Sequence, residues 1–97
     1  MKRGKPRRGK RRQERLGEKL RTIRLALNLS QGQMVQRLKL EEEIDRTDIS
    51  SYERGRREPS LYIILLYADV AGVCTDLLIN DKFELPKRLP SKPSHKP

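Results

Sequence analysis

The stretch from Leu29 to Pro59 opens with Leu29-Ser30-Gln31, runs through an apolar-periodic segment to Ile49-Ser50-Ser51-Tyr52-Glu53-Arg54-Gly55, and closes with Arg56-Arg57-Glu58-Pro59. Ser30 is a good N-cap, and Gln33 stands three places on, the spacing at which a side chain reaches back to the cap's own N–H. Met34, Val35 and Leu38 then give a short helix its buried side. Asp45 is a second N-cap, with Asp48 at the third helical position adding negative charge where the helix dipole favours it. Ile49 and Tyr52 are spaced to face inward together, and Gly55 ends this helix as a left-handed glycine does. Two short helices joined by a turn are therefore predicted. The connection, Lys39 to Ile44, stays open: Glu41-Glu42-Glu43 suits either a longer first helix or a loop.

Working outward, a preceding helix is predicted from near Gln13. Leu16, Leu20, Ile23 and Leu27 follow at four-, three- and four-residue intervals on one face, with Gly17 inside at a modest propensity cost and Asn28 as a left-handed stop. Beyond the stretch, Pro59-Ser60 is another start signal. The run Leu61, Ile64, Leu65, Ala68 and Ala71 makes a fourth helix, apolar on nearly all sides and so read as central, and Gly72 stops it. Thr75-Asp76 opens a last short helix holding Leu77, Leu78 and Ile79. After Asn80, Pro86, Pro90, Pro93 and Pro97 oppose regular structure. Five helices without a strand make the expected class all-α. Three segments are expected: a disordered basic arm over 1–12, a domain over 13–80, and a Pro/Lys-rich disordered tail over 81–97.

The chain has 97 residues and a formal net charge of +10. Residues 1–15 hold nine Lys/Arg and one acid, residues 16–80 nine and ten, and residues 81–97 five and two. The excess thus sits on the ends, and the domain must place charge rather than accumulate it. Cys74 is the only cysteine, which excludes an intramolecular disulfide and fits a reducing compartment. The longest apolar run, Leu61 to Val73, is interrupted by Asp69 and is too short to span a bilayer. No apolar stretch follows the charged N-terminus, which argues against a secretory signal. A cytoplasmic protein is expected. With one cysteine, a distant His95 and no glycine-rich phosphate loop, neither a zinc site nor a catalytic dyad can be assembled, so no metal, cofactor or enzymatic activity is expected.

A helix that exposes small polar side chains at its start, behind a turn and a supporting helix, suits the major groove of DNA. With Ile49 and Tyr52 inward, the outward set is Arg46, Thr47, Ser50 and Ser51. A guanidinium such as that of Arg46 can meet guanine O6 and N7 in two hydrogen bonds, and Thr47 can touch a thymine methyl. Arg54, Arg56 and Arg57 follow in the loop, where phosphate contacts would fix register without reading sequence. The basic arm can follow phosphates in the same way.

The words Leu29-Ser30-Gln31 and Ile49-Ser50-x-Tyr52-Glu53-Arg54-Gly55-x-Arg57-x-Pro59-Ser60-Leu61 resemble the phage repressor / Cro-like helix-turn-helix family, the XRE-type regulators. The resemblance spans roughly residues 16–80. It implies a five-helix lambda-repressor-like domain that binds double-stranded DNA as a transcriptional regulator. It also implies base reading by Arg46, Thr47, Ser50 and Ser51, backbone contact by Gln31, and phosphate contacts by Arg54, Arg56 and Arg57. The family's ion pair between an arginine of helix 1 and the glutamate ending helix 3 maps onto Arg24 and Glu53. Three departures stand out. The interval from Ser30 to Ile49 is about four residues longer than the commonest form, the usual turn glycine is missing near Lys39-Leu40-Glu41-Glu42, and Val35 replaces a small alanine. Leu40 and Ile44 are expected to cover the core beside the longer connection.

Leu77, Leu78, Ile79 and Phe83 either complete the core or bury against a second copy, and the resemblance implies a homodimer at this end, through Leu77, Leu78 and Ile79. Two other functions fit the residues: an antitoxin-like or adaptor module whose ligand is a protein, and a non-specific nucleic-acid binder driven by the arm.

Overall fold

The computed structural model describes residues 15–90; the basic arm over 1–12 and the end of the tail, 91–97, lie outside the described residues. Five helices follow one another: α1 Leu16–Ala26, α2 Gln31–Leu38, α3 Arg46–Glu53, α4 Leu61–Ala71 and α5 Asp76–Ile79. There is no strand among the described residues, and the fold is all-α.

Local chemistry sets most boundaries. Asn28 ends α1 in the left-handed region, at φ 62°. Ser30 Oγ accepts the Gln33 N–H at 3.0 Å while Gln33 Oε1 accepts the Ser30 N–H at 2.8 Å, so both donors at the start of α2 are satisfied. Asp45 caps α3 in the same reciprocal way: its Oδ1 accepts the Asp48 N–H at 3.3 Å and the Thr47 N–H at 2.9 Å, and Asp48 Oδ2 accepts the Asp45 N–H at 2.9 Å. Ser60 Oγ accepts the Ile63 N–H and starts α4, and Gly72, at φ 78°, stops it.

The connection between α2 and α3 is a turn, not a longer helix. Lys39 takes the left-handed conformation, at φ 62°, that glycine more commonly occupies. The next N–H, of Leu40, donates to Val35 O at 3.1 Å. This closure buries Leu40 fully, leaves Glu41, Glu42 and Glu43 exposed, and half-buries Ile44. Within this longer connection Leu40 and Ile44 cover the core.

Leu16, Leu20, Ile23 and Leu27 of α1 and its terminus meet Met34, Val35 and Leu38 of α2 and Ile49 and Tyr52 of α3 in one core. α3 packs against both α1 and α2. At Gly17 α1 lies tight against α3: a Cβ there would stand 2.7 Å from the backbone oxygens of both Tyr52 and Glu53. Only a hydrogen fits in that space.

Two expectations are corrected. α4 is not central, because its inward face is Ile63, Ile64, Tyr67, Ala68 and Ala71, while Leu61, Tyr62 and Leu65 are 63, 59 and 49 % exposed. A helix that is apolar all round gives no periodic cue to its inner side, and a core this small covers only one. Leu78 is fully buried in its own domain, so it cannot take part in a homodimer face as expected for Leu77, Leu78 and Ile79; its two neighbours are half-buried.

Packing also continues past residue 80, where the prolines placed the domain limit. Leu85 and Leu89 pack against the core. Lys19, on α1, is buried and donates to three backbone carbonyls, Leu77 O at 2.6 Å, Phe83 O at 2.7 Å and Asn80 O at 3.0 Å. One ammonium thereby satisfies three carbonyls at the end of α5 and the segment after it. Arg15 adds a second tether, from its N–H to Asp81 Oδ1 at 3.1 Å and from its guanidinium to both oxygens of Glu84 at 3.0 and 3.1 Å.

Candidate nucleic-acid interface

The first two turns of α3 carry the predicted base-facing set on the side away from the core. Arg46 and Thr47 are exposed, Ser50 and Ser51 are half-buried, and Ile49 and Tyr52 lie on the opposite, buried side. Neither Arg46 nor the two serines has a side-chain hydrogen bond among the described residues, so their hydrogen-bonding groups are uncommitted there. Thr47 differs: its hydroxyl donates to Asp45 Oδ1. That bond, with the Asp48 N–H, holds the Asp45 carboxyl below the usual carboxylate range. Thr47 therefore keeps its methyl group and its oxygen lone pairs for a partner, but not its proton.

Behind this turn lies a buried polar cluster. Glu53, the last residue of α3, accepts from Arg24 Nε at 2.7 Å and Nη2 at 3.1 Å, with the Glu53 side chain 3 % and that of Arg24 10 % exposed. The Arg24 guanidinium also donates to Leu29 O at 2.9 Å, just before α2. Gln31 Nε2 adds a bond to Glu53 Oε1 at 3.2 Å. α1, the start of α2 and the end of α3 thus meet at one carboxylate, whose hydrogen bond raises the Arg24 pKa above its ordinary value. Tyr67 lies fully buried, its hydroxyl without a hydrogen-bond partner among the described residues; burial pushes its pKa upward. Gln31 is half-buried and one of its amide donors is committed, which leaves its carbonyl and second N–H.

The loop after α3 divides its arginines. Gly55 is left-handed, at φ 75°, and the N–H groups of Arg56 and Arg57 return to Ser51 O at 2.9 and 3.4 Å. Arg54 and Arg56 are exposed and make no side-chain hydrogen bond among the described residues. Arg57 folds back on α3 instead. Its Nη1 donates to Asp48 Oδ1, and its guanidinium carbon lies 5.5 Å from the centroid of the Tyr52 ring.

The arrangement is a supporting helix, a turn, and a second helix whose first turn faces solvent, held by a third helix behind. The model of the helix-turn-helix domain family matches residues 15–79. The chain belongs to the helix-turn-helix domain family. No curated protein and no solved structure matches it. The helix-turn-helix is a DNA-binding module: the second helix enters the major groove, and the first crosses the backbone. By chain order α2 and α3, with the turn between them, correspond to the motif's first and second helices. Among the described residues no group of His, Cys, Asp and Glu could hold a metal ion, and no helix is long and apolar enough to cross a membrane.

Sequence reasoning missed three features of this helix-turn-helix. The fit of Gly17 against α3 carried only a propensity cost in the sequence. Nothing in the sequence singled out Lys19. Asp48 was found as a capping residue, but not as the partner of Arg57, because that contact depends on the loop returning over α3.

Proposed function

We propose that this helix-turn-helix protein is a sequence-specific DNA-binding transcriptional regulator of the XRE type. The observation that carries the reading is the uncommitted hydrogen-bonding surface of Arg46, Ser50 and Ser51 beside the Thr47 methyl, on a helix locked from behind by Arg24 and Glu53. Arg46 meets guanine, Thr47 a thymine methyl, and the serines the neighbouring base edges. Gln31, Arg54 and Arg56 hold phosphates on either side. The α2 N-terminus supports a phosphate next to Gln31, since its backbone N–H groups are the positive end of a helix dipole. The Arg24–Glu53 pair acts by orienting α3 and not by touching DNA.

The basic arm adds sequence-independent affinity. α1 begins beside the end of α3, where a Cβ on Gly17 would meet Glu53 O. Each phosphate the arm neutralises would steepen the log–log salt dependence of binding by about 0.9. Dimerisation remains part of the proposal, because a single module has a small contact area.

The test is an in vitro selection from random duplex DNA with the full chain at near-physiological salt. Enrichment of one sequence family supports the regulator, and an inverted repeat with half-sites about one helical turn apart makes it a dimer. Binding without enrichment that vanishes as salt rises would replace it with a non-specific binder driven by the arm. No binding to any duplex would point to a protein ligand.

A further inference from the structure

We infer that Arg57 is a positioning residue of the DNA interface and not a phosphate ligand: it neutralises Asp48, so that α3 approaches the polyanion without a bare carboxylate. The inference rests on the DNA-binding reading of α3 and assigns two of its charges.

Asp48 stands in the first turn of α3, next in sequence to Thr47 and one turn from Ser51. Both of its oxygens are engaged. Oδ2 accepts the Asp45 N–H at 2.9 Å and closes the capping box, and Oδ1 accepts from Arg57 Nη1. The Asp48 side chain is 23 % exposed and that of Arg57 57 %, so the guanidinium forms the outer layer and the carboxylate the inner one. The ring of Tyr52 holds the guanidinium from a second side, a contact that favours a planar cation. The loop builds this geometry, since Gly55 turns the chain and Ser51 O receives the N–H groups of Arg56 and Arg57.

Charge accounting favours this role over phosphate binding. If DNA drew Arg57 onto a phosphate, the guanidinium would exchange one anion for another and abandon the Tyr52 ring. Asp48 would be left unpaired among phosphates, where like charges repel. Among the described residues Arg54 and Arg56 have no such partner, so they can neutralise phosphate without exposing an anion. The loop thus sorts its arginines: two face the DNA, and one cancels a charge that the capping of α3 requires.

A double-mutant cycle tests this with the full chain and, as probe, a duplex enriched by the wild-type protein from a random library. Arg57→Gln changes an exposed side chain, and Asp48→Asn keeps an oxygen for the Asp45 N–H. Asp48→Gln, the residue preferred at this capping-box position, serves as a second neutral variant should the first weaken the cap. Arg57→Gln alone is expected to weaken binding by about tenfold, and adding either neutral substitution at residue 48 to restore it to within about threefold, with an unchanged salt slope. The inference is overturned if Arg57→Gln costs the same with Asp, Asn or Gln at residue 48 and lowers the log–log salt slope by about 0.9, the mark of a lost phosphate contact. If the wild-type chain binds no duplex, the DNA reading itself fails and takes the inference with it; failure of the cycle alone leaves that reading standing.

Discussion

Arg24 and Glu53, 29 residues apart in sequence, join α1 to α3 through a bidentate, nearly solvent-free ion pair. Such a pair does not stabilise in proportion to its charge, because both ions have left water; its weight appears when one partner is removed. Arg24→Met should therefore cost about 3–5 kcal/mol, by stranding the Glu53 carboxylate. Glu53→Gln keeps an acceptor and should cost less. Urea denaturation of both variants checks this, and a loss under 1 kcal/mol for Arg24→Met would mean that the carboxylate is rescued by water.

Gly17→Ala sets propensity against space. Alanine favours a helix interior over glycine by about 1 kcal/mol, yet its Cβ would meet two backbone oxygens at 2.7 Å. Backbone at both contacts cannot rotate away, so α1 and α3 must separate, and a net loss of about 1–3 kcal/mol is expected. A thermal melt decides it: a raised midpoint would show that the two helices part freely.

Asp45 makes α3 sensitive to acid. Its folded pKa lies below the ordinary 3.8, chiefly through the Thr47 hydroxyl and then the Asp48 N–H. A depressed carboxyl pKa contributes stability that is full above the unfolded value and is lost as pH falls through the folded one. The cap should accordingly weaken below about pH 4. Asp45→Asn, still a good cap but uncharged, should show a shallower fall in melting temperature between pH 5 and pH 2 than the wild type. Parallel curves would remove Asp45 from the acid response.

Base reading and phosphate holding separate by mutation. Arg46→Ala should lose about 1–3 kcal/mol on the selected site and little on random duplex, relaxing preference at one base pair. Arg56→Ala should weaken all sequences alike and make the salt slope shallower by about 0.9. Binding isotherms at several salt concentrations distinguish the two, and equal losses for Arg46→Ala on every sequence would sink its base-reading role.

Lys19→Met would leave the three carbonyls of Leu77, Asn80 and Phe83 without their shared donor. Hydrogen bonds to a charged group carry about 1.5–3 kcal/mol each when removed singly, and these act as a unit, so a loss of about 3 kcal/mol is expected. Amide exchange should accelerate first in residues 81–90. Unchanged protection there would show that Leu85 and Leu89 hold the segment alone.

The helix ends were legible because capping is local. Ser30 with Gln33, Asp45 with Asp48, and Asn28, Gly55 and Gly72 each act within four residues of the boundary they set. The outward face of α3 followed from Ile49 and Tyr52 in the same way. The inner face of α4 was not legible, since Leu61 and Leu65 are as apolar as Ile63 and Tyr67, and only the neighbouring helices choose between them. Lys39 in a left-handed turn hid the end of α2, because a side chain with a Cβ seldom marks that conformation. Lys19 and Arg57 were obscure for a different reason: their partners lie 58 and more, or nine, residues away, and arrive only when the chain has folded.

The ties from Arg15 and Lys19 to the stretch 77–84 fasten the start of α1 to the segment that follows the last helix. Leu85 and Leu89 continue that segment against the core. A pull on either end therefore loads the same few bonds, so the two ends fray together and not one after the other.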